Sequence, residues 1–285
     1  MAATIIDGKE LSKTKRSELA VEVEQIKAKG VLPKLVVILV GDNPASLSYI
    51  RGKQKAAEEI GVGFKLEHFA ESLSEKELLD VIESYNNNDE YHGILVQLPL
   101  PVHINETAVV EKISPQKDVD GFHPINIGRM MTGQETFLPC TPAGIVEMIK
   151  SVGVEMAGKN VVVVGRSNIV GKPVGQLLLN EHATVTYCHS KTKDLTSYTK
   201  EADILVAAVG RANFIKGDQI KPGAVVIDVG VNRLETGKLV GDVVFEEAKE
   251  VASYLTPVPG GVGPMTITML AHNTVQSAKQ FLETK

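Results

Sequence analysis

Three polar side chains in the first half of the chain have the types and spacing that proton chemistry needs. Tyr49 and Lys53 are four residues apart in a segment of helical composition, so a helix places them on one face. A phenol and an amine side by side can pass protons, and desolvation lowers the pKa of a lysine into a useful range. Gln97 follows an apolar run, at the end of a strand where open sheets bind ligands. A solvated surface pair and an amide that satisfies local backbone are the structural alternatives.

Two carboxylates stand in a different kind of segment. Residues 113–141 are rich in Pro, Gly and Asp and show little periodicity, and within them Asp118 and Asp120 flank Val119. Long irregular stretches inside compact domains often carry function. Either aspartate could bind a ligand, and either could simply form a turn.

A second candidate site begins at an apolar run of four valines, residues 161–164. Gly165, Arg166 and Ser167 follow, and a helical pattern starts near Gly171. A strand, a tight glycine turn and a helix N-terminus together form a cradle for phosphate. In the usual G-x-G-x-x-G motif a glycine stands where this chain has Ser167, so a purely structural turn is the alternative.

The next apolar strand, residues 183–187, indicates which dinucleotide fits. NAD-binding folds carry an acid after this strand to bond the ribose hydroxyl. Here Cys188–Thr192 contains no acid and offers Ser190, Lys191 and other polar groups instead. These groups, with Arg166 as a second contact, suit a 2′-phosphate. The pattern predicts NADP rather than NAD, with a solvated turn as the alternative.

The elements that position these residues alternate between strand and helix patterns. Strands are predicted at 35–40, 62–69, 93–101, 160–165, 183–187, 203–210 and 224–230. Helices are predicted at 10–29, 44–60, 171–181 and 265–283. Two more are predicted from their start signals: one after a capping box at Ser74, and one from Thr141 as N-cap with Pro142 in the first turn. This alternation predicts an α/β fold: two α/β domains with a cleft between them, the second a Rossmann-like parallel sheet. The predicted domains are 1–139 plus 267–285 and 140–266.

Composition excludes several classes of protein. The 285 residues are 43% hydrophobic and 23% charged with a net charge of −5, which excludes disorder and gives no basic field for nucleic acid. Two cysteines cannot build a disulfide framework or a four-cysteine zinc site, and the scattered histidines form no metal motif. No apolar run reaches the roughly 18 residues of a membrane span. A soluble protein without a metal is expected.

Five segments together carry a resemblance that none carries alone. The chain resembles the bifunctional methylenetetrahydrofolate dehydrogenase/methenyltetrahydrofolate cyclohydrolase family, from about residue 5 to the C-terminus. The matching segments are SYIRGKQKAAEEIG (48–61), GILVQLPLP (93–101), KDVDGFHPINIG (117–128), GRSNIVGKP (165–173) and TPVPGGVGPMT (256–266).

The resemblance implies two reactions at one folate site. NADP would oxidise 5,10-methylenetetrahydrofolate to the 5,10-methenyl form, and water would open that cation to 10-formyltetrahydrofolate. Lys53 would be the acid/base of the hydrolytic step, and Gln97 would hold it. Tyr49 would orient the folate rings, and Asp120 would bond the pterin amino groups.

The resemblance also implies binding residues and partners. Gly165, Arg166, Ser167, Ser190 and Val231 would contact NADP. Further substrate contacts would come from Leu98 and, in a loop at 257–264 that closes over the substrate, from Pro259, Gly260 and Gly263. It implies polyglutamylated folates as substrates, a homodimer formed through the second domain, and a place in one-carbon metabolism. Because the N-terminus shows no transit peptide, a cytoplasmic enzyme is expected.

Other functions remain to be weighed. A short-chain dehydrogenase also uses Tyr-x-x-x-Lys, but there the pair follows the dinucleotide strand, whereas Tyr49 precedes Gly165. A monofunctional dehydrogenase and a non-catalytic NADP-sensing regulator are the two alternatives, and intact Lys53, Gln97 and Asp120 argue against both.

Overall fold

The structure is a computed structural model that describes residues 2–284. The strands are β1 (Thr4–Ile5), β2 (Lys34–Val40), β3 (Gly63–Phe69), β4 (Gly93–Val96), β5 (Asn160–Val164), β6 (Thr184–Cys188), β7 (Ile204–Ala207), β8 (Val225–Asp228), β9 (Asn232–Arg233), β10 (Leu239–Val240) and β11 (Tyr254–Leu255). The helices are α1 (Gly8–Ala28), α2 (Pro44–Ile60), α3 (Glu75–Asn86), α4 (Glu106–Lys112), α5 (Pro124–Met131), α6 (Cys140–Ser151), α7 (Gly171–Asn180), α8 (Leu195–Thr199), α9 (Phe245–Val251) and α10 (Val262–Thr284).

One compact unit, here the six-stranded unit, contains the chain up to Lys13 and Thr141–Thr266. Its sheet has the order β1-β11-β8-β7-β5-β6, and every pair in it is parallel. Strands β5, β7 and β8 consist mostly of valine, isoleucine and leucine and are buried on both faces, as parallel strands covered by helices must be.

The chain order creates a switch point in this sheet. Strand β6 lies on one side of β5, and β7 lies on the other. The connections after β5 and after β7 therefore leave the sheet on opposite sides and open a crevice at the carboxyl ends of these strands. Open α/β sheets bind ligands at such a crevice.

The second compact unit, here the three-stranded unit, contains Thr14–Cys140 and the chain from Ile267 onward. Its parallel sheet has the order β3-β2-β4. Val36 and Ile38 of β2 pack in one cluster with Leu78 and Ile82 of α3. The predicted capping box starts α3: the Ser74 hydroxyl accepts from the Glu77 amide, and the Glu77 carboxylate accepts from the Ser74 amide.

The predicted α/β class with a parallel, Rossmann-like sheet is confirmed, and several local predictions change. Strand β4 is shorter than 93–101, because Pro99 and Pro101 cannot donate to a ladder. Helix α6 begins at Cys140, so Thr141 lies inside it and is not its N-cap. Helix α10 begins at Val262, three residues early.

The segment 113–141 is less irregular than its composition suggested, since it contains α5. Pro124 opens this helix, where its missing N–H costs nothing, and the His123 ring accepts from the Ile125 amide.

The N-terminal residues also differ from the predicted division of the chain. The prediction groups residues 1–13 with the first domain, whereas β1 pairs with β11 and extends the six-stranded sheet. Within the described residues, no helix is both long and apolar enough to cross a membrane.

Candidate active site

Helix α2 carries the predicted proton-handling pair. The Asn43 carboxamide accepts from the Ala45 and Ser46 amides at the N-terminus, and Gly61 ends the helix in the left-handed conformation at φ 78°. Tyr49 is 45% exposed and Lys53 is half-buried. The helix thus presents a solvent-accessible ring one turn before a partly desolvated amine.

Gln97 holds the Lys53 ammonium. The Lys53 Nζ donates to the Gln97 Oε1 at 2.9 Å, and the Gln97 Nε2 donates to the Leu98 carbonyl at 2.7 Å. The backbone amide of Gln97 donates to the Ile38 carbonyl at 2.8 Å, and this bond continues the pairing with β2 one residue past the end of β4. Because the side-chain nitrogen of Gln97 donates to the backbone, the side-chain oxygen faces the Lys53 amine.

The two aspartates have different roles. The buried Asp118 carboxylate accepts from the backbone amides of Gly121, Phe122 and His123 and from the Asn126 Nδ2, at 2.8–3.3 Å. Asp118 therefore organises the turn, which is the structural alternative considered for it. Asp120 lies beside Lys53 in the same unit, close enough for the two charges to interact.

Electrostatics in this cluster favours uncharged groups. Burial lowers the pKa of Lys53, and the nearby Asp120 opposes that change. Burial raises the pKa of Asp120, with Lys53 opposing the rise and Asp118 adding to it. Burial and the Asp120 charge raise the pKa of the Cys140 thiol. These shifts favour the neutral amine over the ammonium and the thiol over the thiolate.

Two residues beside this cluster are absent from the sequence-based prediction. The Cys140 thiol donates to the Val119 carbonyl at 3.3 Å, and the Asn273 Nδ2 donates to the Val119 and Leu138 carbonyls at 2.9 and 3.0 Å. Both fix the backbone that carries Asp120. The prolines around Cys140 hint at an unusual position, whereas nothing in the sequence distinguishes Asn273 from other residues of α10.

The predicted dinucleotide-binding turn Gly165–Ser167, here the dinucleotide turn, lies at the switch point of the six-stranded unit. Gly165 follows β5 with φ 131°, and a Cβ there would lie 2.2 Å from the Ala208 carbonyl oxygen. A Cβ at Gly171 would lie 2.5 Å from the Gly165 oxygen. The Ser167 hydroxyl accepts from the amides of Val170 and Gly171, at 3.1 and 3.2 Å. Two glycines and a serine thus allow the tight approach of helix to strand that a phosphate cradle requires.

The loop after β6 fits a 2′-phosphate better than a bare ribose. Its turn is closed by the His189 amide, which donates to the Thr192 hydroxyl at 2.8 Å, and no residue of Cys188–Thr192 is acidic. Arg166 and Ser190 are exposed, and Val231 is 48% exposed, so all three can contact a ligand. The nearest following acid, Asp194, caps α8 through the Ser197 amide.

Leu98 belongs to the three-stranded unit with Gln97, whereas the predicted substrate residues of the loop at 257–264 belong to the six-stranded unit. Pro259 and Gly260 precede α10, where Gly260 has φ 109° and the Gly261 amide donates to the Pro257 carbonyl at 2.9 Å. Gly263 lies in the first turn of α10 rather than in a loop. Between residues 2 and 284, no group of three or more His, Cys, Asp or Glu side chains could hold a metal ion.

Comparison with known proteins identifies relatives over the whole length. Residues 6–120 match the family model "Tetrahydrofolate dehydrogenase/cyclohydrolase, catalytic domain", and residues 139–282 match its "NAD(P)-binding domain". The chain is 73% identical over 282 residues to the "Bifunctional protein FolD" of Bacillus pumilus, covering 99% of this chain and 100% of that one.

Two solved structures have the same fold over nearly every residue. The bifunctional methylenetetrahydrofolate dehydrogenase/cyclohydrolase of Campylobacter jejuni is 52% identical with a TM-score of 0.96, covering 98% of this chain and 99% of its own. The dehydrogenase-cyclohydrolase of Trypanosoma brucei, solved with NADP cofactor and an inhibitor, is 39% identical with a TM-score of 0.95, covering 99% of each chain.

Proposed function

The chain belongs to the tetrahydrofolate dehydrogenase/cyclohydrolase family, and from this premise we propose how its residues divide two reactions between them. The enzyme is bifunctional: it oxidises 5,10-methylenetetrahydrofolate to the 5,10-methenyl form with NADP and hydrolyses that product to 10-formyltetrahydrofolate. The hydrogen bond from Lys53 to Gln97 is the observation that carries the hydrolytic half.

NADP fits the residues around the switch point. The turn Gly165–Ser167 would receive the phosphates, Arg166 and Ser190 the 2′-phosphate, and Val231 a backbone contact. The absence of an acid from Cys188–Thr192 supports this choice over NAD. The bound nicotinamide supplies a hydride acceptor.

The oxidation requires the protein to position the folate substrate and does not require a protein nucleophile. A folate nitrogen lone pair drives the hydride from the methylene carbon, so holding the ring in place supplies most of the catalysis. Asp120 would bond the amino groups of the pterin, and Tyr49, which has room for a stacking partner, would orient the rings. Leu98, Pro259, Gly260 and Gly263 would add further substrate contacts.

The hydrolysis needs proton transfer, and Lys53 is placed to perform it. Neutral Lys53 would take a proton from the water that adds to the methenyl carbon and return it to the ring nitrogen that leaves as the ring opens. Burial lowers the pKa of Lys53, which increases its neutral fraction. Gln97 would keep the amine directed while accepting its proton in a hydrogen bond.

Three finer properties complete the proposal. The exposed edge strand β6, with Tyr187 41% exposed, supports a homodimer formed through the six-stranded unit. The substrates are polyglutamylated folates, as the resemblance implies, and the enzyme acts in the cytoplasm.

A pair of assays tests the proposal. Purified protein receives 5,10-methylenetetrahydrofolate with NADP or NAD, and reduced cofactor and each folate product are separated by chromatography at successive times. We expect NADPH and 10-formyltetrahydrofolate to form together, with slower turnover on NAD. Cofactor reduction with the methenyl form as end product would mean a monofunctional dehydrogenase, and no turnover would leave a dinucleotide-binding regulator.

A further inference from the structure

Two buried carboxylates in the six-stranded unit have no role in the reactions described above. Asp228 ends β8 and is 4% exposed, and Asp242, two residues after β10, is fully buried. An unpaired buried charge is expensive, so each must be satisfied by donors. Their donors lie in the loops around the cofactor crevice.

Asp242 accepts four hydrogen bonds from two different segments. Its Oδ2 accepts from the Val209 and Gly210 amides at 2.6 and 2.9 Å, and its Oδ1 accepts from the Arg211 amide and the Asn232 Nδ2, both at 2.9 Å. One carboxylate thus ties the loop after β7 to the residue that follows Val231.

Asp228 holds Asp242 in turn. Its Oδ1 accepts from the Gly230 and Asp242 amides at 3.0 and 2.8 Å, and its Oδ2 accepts from the Val243 amide at 2.9 Å. The approach of both carboxylates depends on glycine. A Cβ at Gly230 would lie 2.1 Å from the Asp242 Oδ1, and one at Gly241 would lie 1.8 Å from the Asp228 Oδ2.

The loop that Asp242 holds is in contact with the dinucleotide turn. The Ala208 amide donates to the Val164 carbonyl at 2.8 Å, and the Ala208 oxygen occupies the space that a Cβ on Gly165 would need. Movement of residues 208–211 would therefore displace one wall of the crevice directly beside Gly165.

We propose that Asp242 is a positioning residue of the cofactor site: its carboxylate fixes the loop after β7 and the segment at Asn232 in the arrangement that receives the dinucleotide. This inference rests on the proposed function of the crevice. Because Asp242 acts on the whole crevice rather than on the 2′-phosphate, its loss weakens NADP and NAD binding by the same factor.

The test measures cofactor binding directly. Asp242→Asn keeps the size of the side chain but replaces one oxygen by an NH₂ group. Because each oxygen of Asp242 accepts from two N–H donors, the NH₂ group opposes two donors in either orientation of the amide. By titration calorimetry we expect the Kd for NADP and the Kd for NAD each to rise about tenfold. Asp218→Asn, which removes an exposed carboxylate from the same unit, is the matched control and keeps wild-type values.

Two further measurements separate the possible outcomes. Asn232→Ala removes one of the four donors and should raise both Kd values about threefold, which decides the question even if Asp242→Asn does not fold. Hydrolysis of added methenyltetrahydrofolate, which consumes no dinucleotide, should be retained in both variants. Unchanged Kd values in folded variants, or loss of hydrolysis in parallel with binding, overturn the inference. Wild-type protein that binds NADP without turning over folate would refute the proposed function alone.

Discussion

Replacing Gln97 by Glu puts a carboxylate where an amide oxygen now accepts from Lys53 at 2.9 Å. An opposite charge within hydrogen-bonding distance raises the pKa of an amine by about 1–3 units. That rise opposes the burial that lowers the pKa of Lys53 in the wild type. Lys53 is then protonated over a wider range of pH. Since the proposed hydrolysis uses the neutral amine, the rate at a given pH falls, and the midpoint of its rise with pH moves upward by about the same 1–3 units.

The assay is the initial rate of decay of methenyltetrahydrofolate over a series of pH values, corrected for the uncatalysed rate. Gln54→Glu is the control, because Gln54 is exposed on the same helix and bonds Glu58 rather than the site. It adds the same charge and should leave the midpoint of the profile in place. A Gln97→Glu enzyme that is slower at every pH but keeps the wild-type midpoint would refute Lys53 as the titrating base.

Three further substitutions test other parts of the account. Arg166→Ala should raise the KM for NADP about tenfold or more, because it removes a charge-assisted bond worth roughly 1.5–3 kcal/mol, and should leave the KM for NAD nearly unchanged; equal effects in steady-state kinetics would mean that Arg166 positions the whole dinucleotide. Asp120→Ala should weaken folate binding by about 1–3 kcal/mol in both half-reactions; normal binding with only a lower Tm would make the residue structural. Burial and the neighbouring Asp242 raise the pKa of Asp228 to about 7. Between about pH 4 and pH 7 the native protein therefore keeps a proton that the unfolded chain has already released. The free energy of unfolding of the wild type should therefore fall about 2–3 kcal/mol more than that of Asp228→Asn between about pH 5 and pH 7.5 in urea titrations, and parallel curves would contradict this.

The parts of the fold that the sequence predicts are those with local causes. Helix α2 has its start at Asn43 and its stop at Gly61 in the sequence, and β2 and β5 are apolar runs that only buried parallel strands explain. Strand β1 could not be placed in this way. It has two residues, and its partner β11 lies near the other end of the chain.

The site divides along the same line. Lys53 and Gln97 are both identified by sequence. Their contact follows from chain order, because α2 follows β2 and Gln97 follows β4, which pairs with β2. Residue type and spacing do not distinguish Asp118 from Asp120, and only the family resemblance favours Asp120. The closed turn shows which carboxylate the backbone amides saturate. The role of Asp242 cannot be read from the sequence either, since three of its donors lie more than thirty residues away and the fourth lies ten residues away.

The most direct test of the division of labour between the two reactions is the product mixture formed by Lys53→Met. This change keeps the apolar stem and removes the amine, with Lys55→Met, exposed on the same helix, as the matched control. Cyclohydrolase activity should fall by about 10²–10⁴ while the dehydrogenase falls less, so methenyltetrahydrofolate accumulates, visible in the near ultraviolet, where the wild type and the control convert it. Equal loss of both activities, with no accumulation, would show that Lys53 positions the substrate and is not the acid/base of the hydrolytic step.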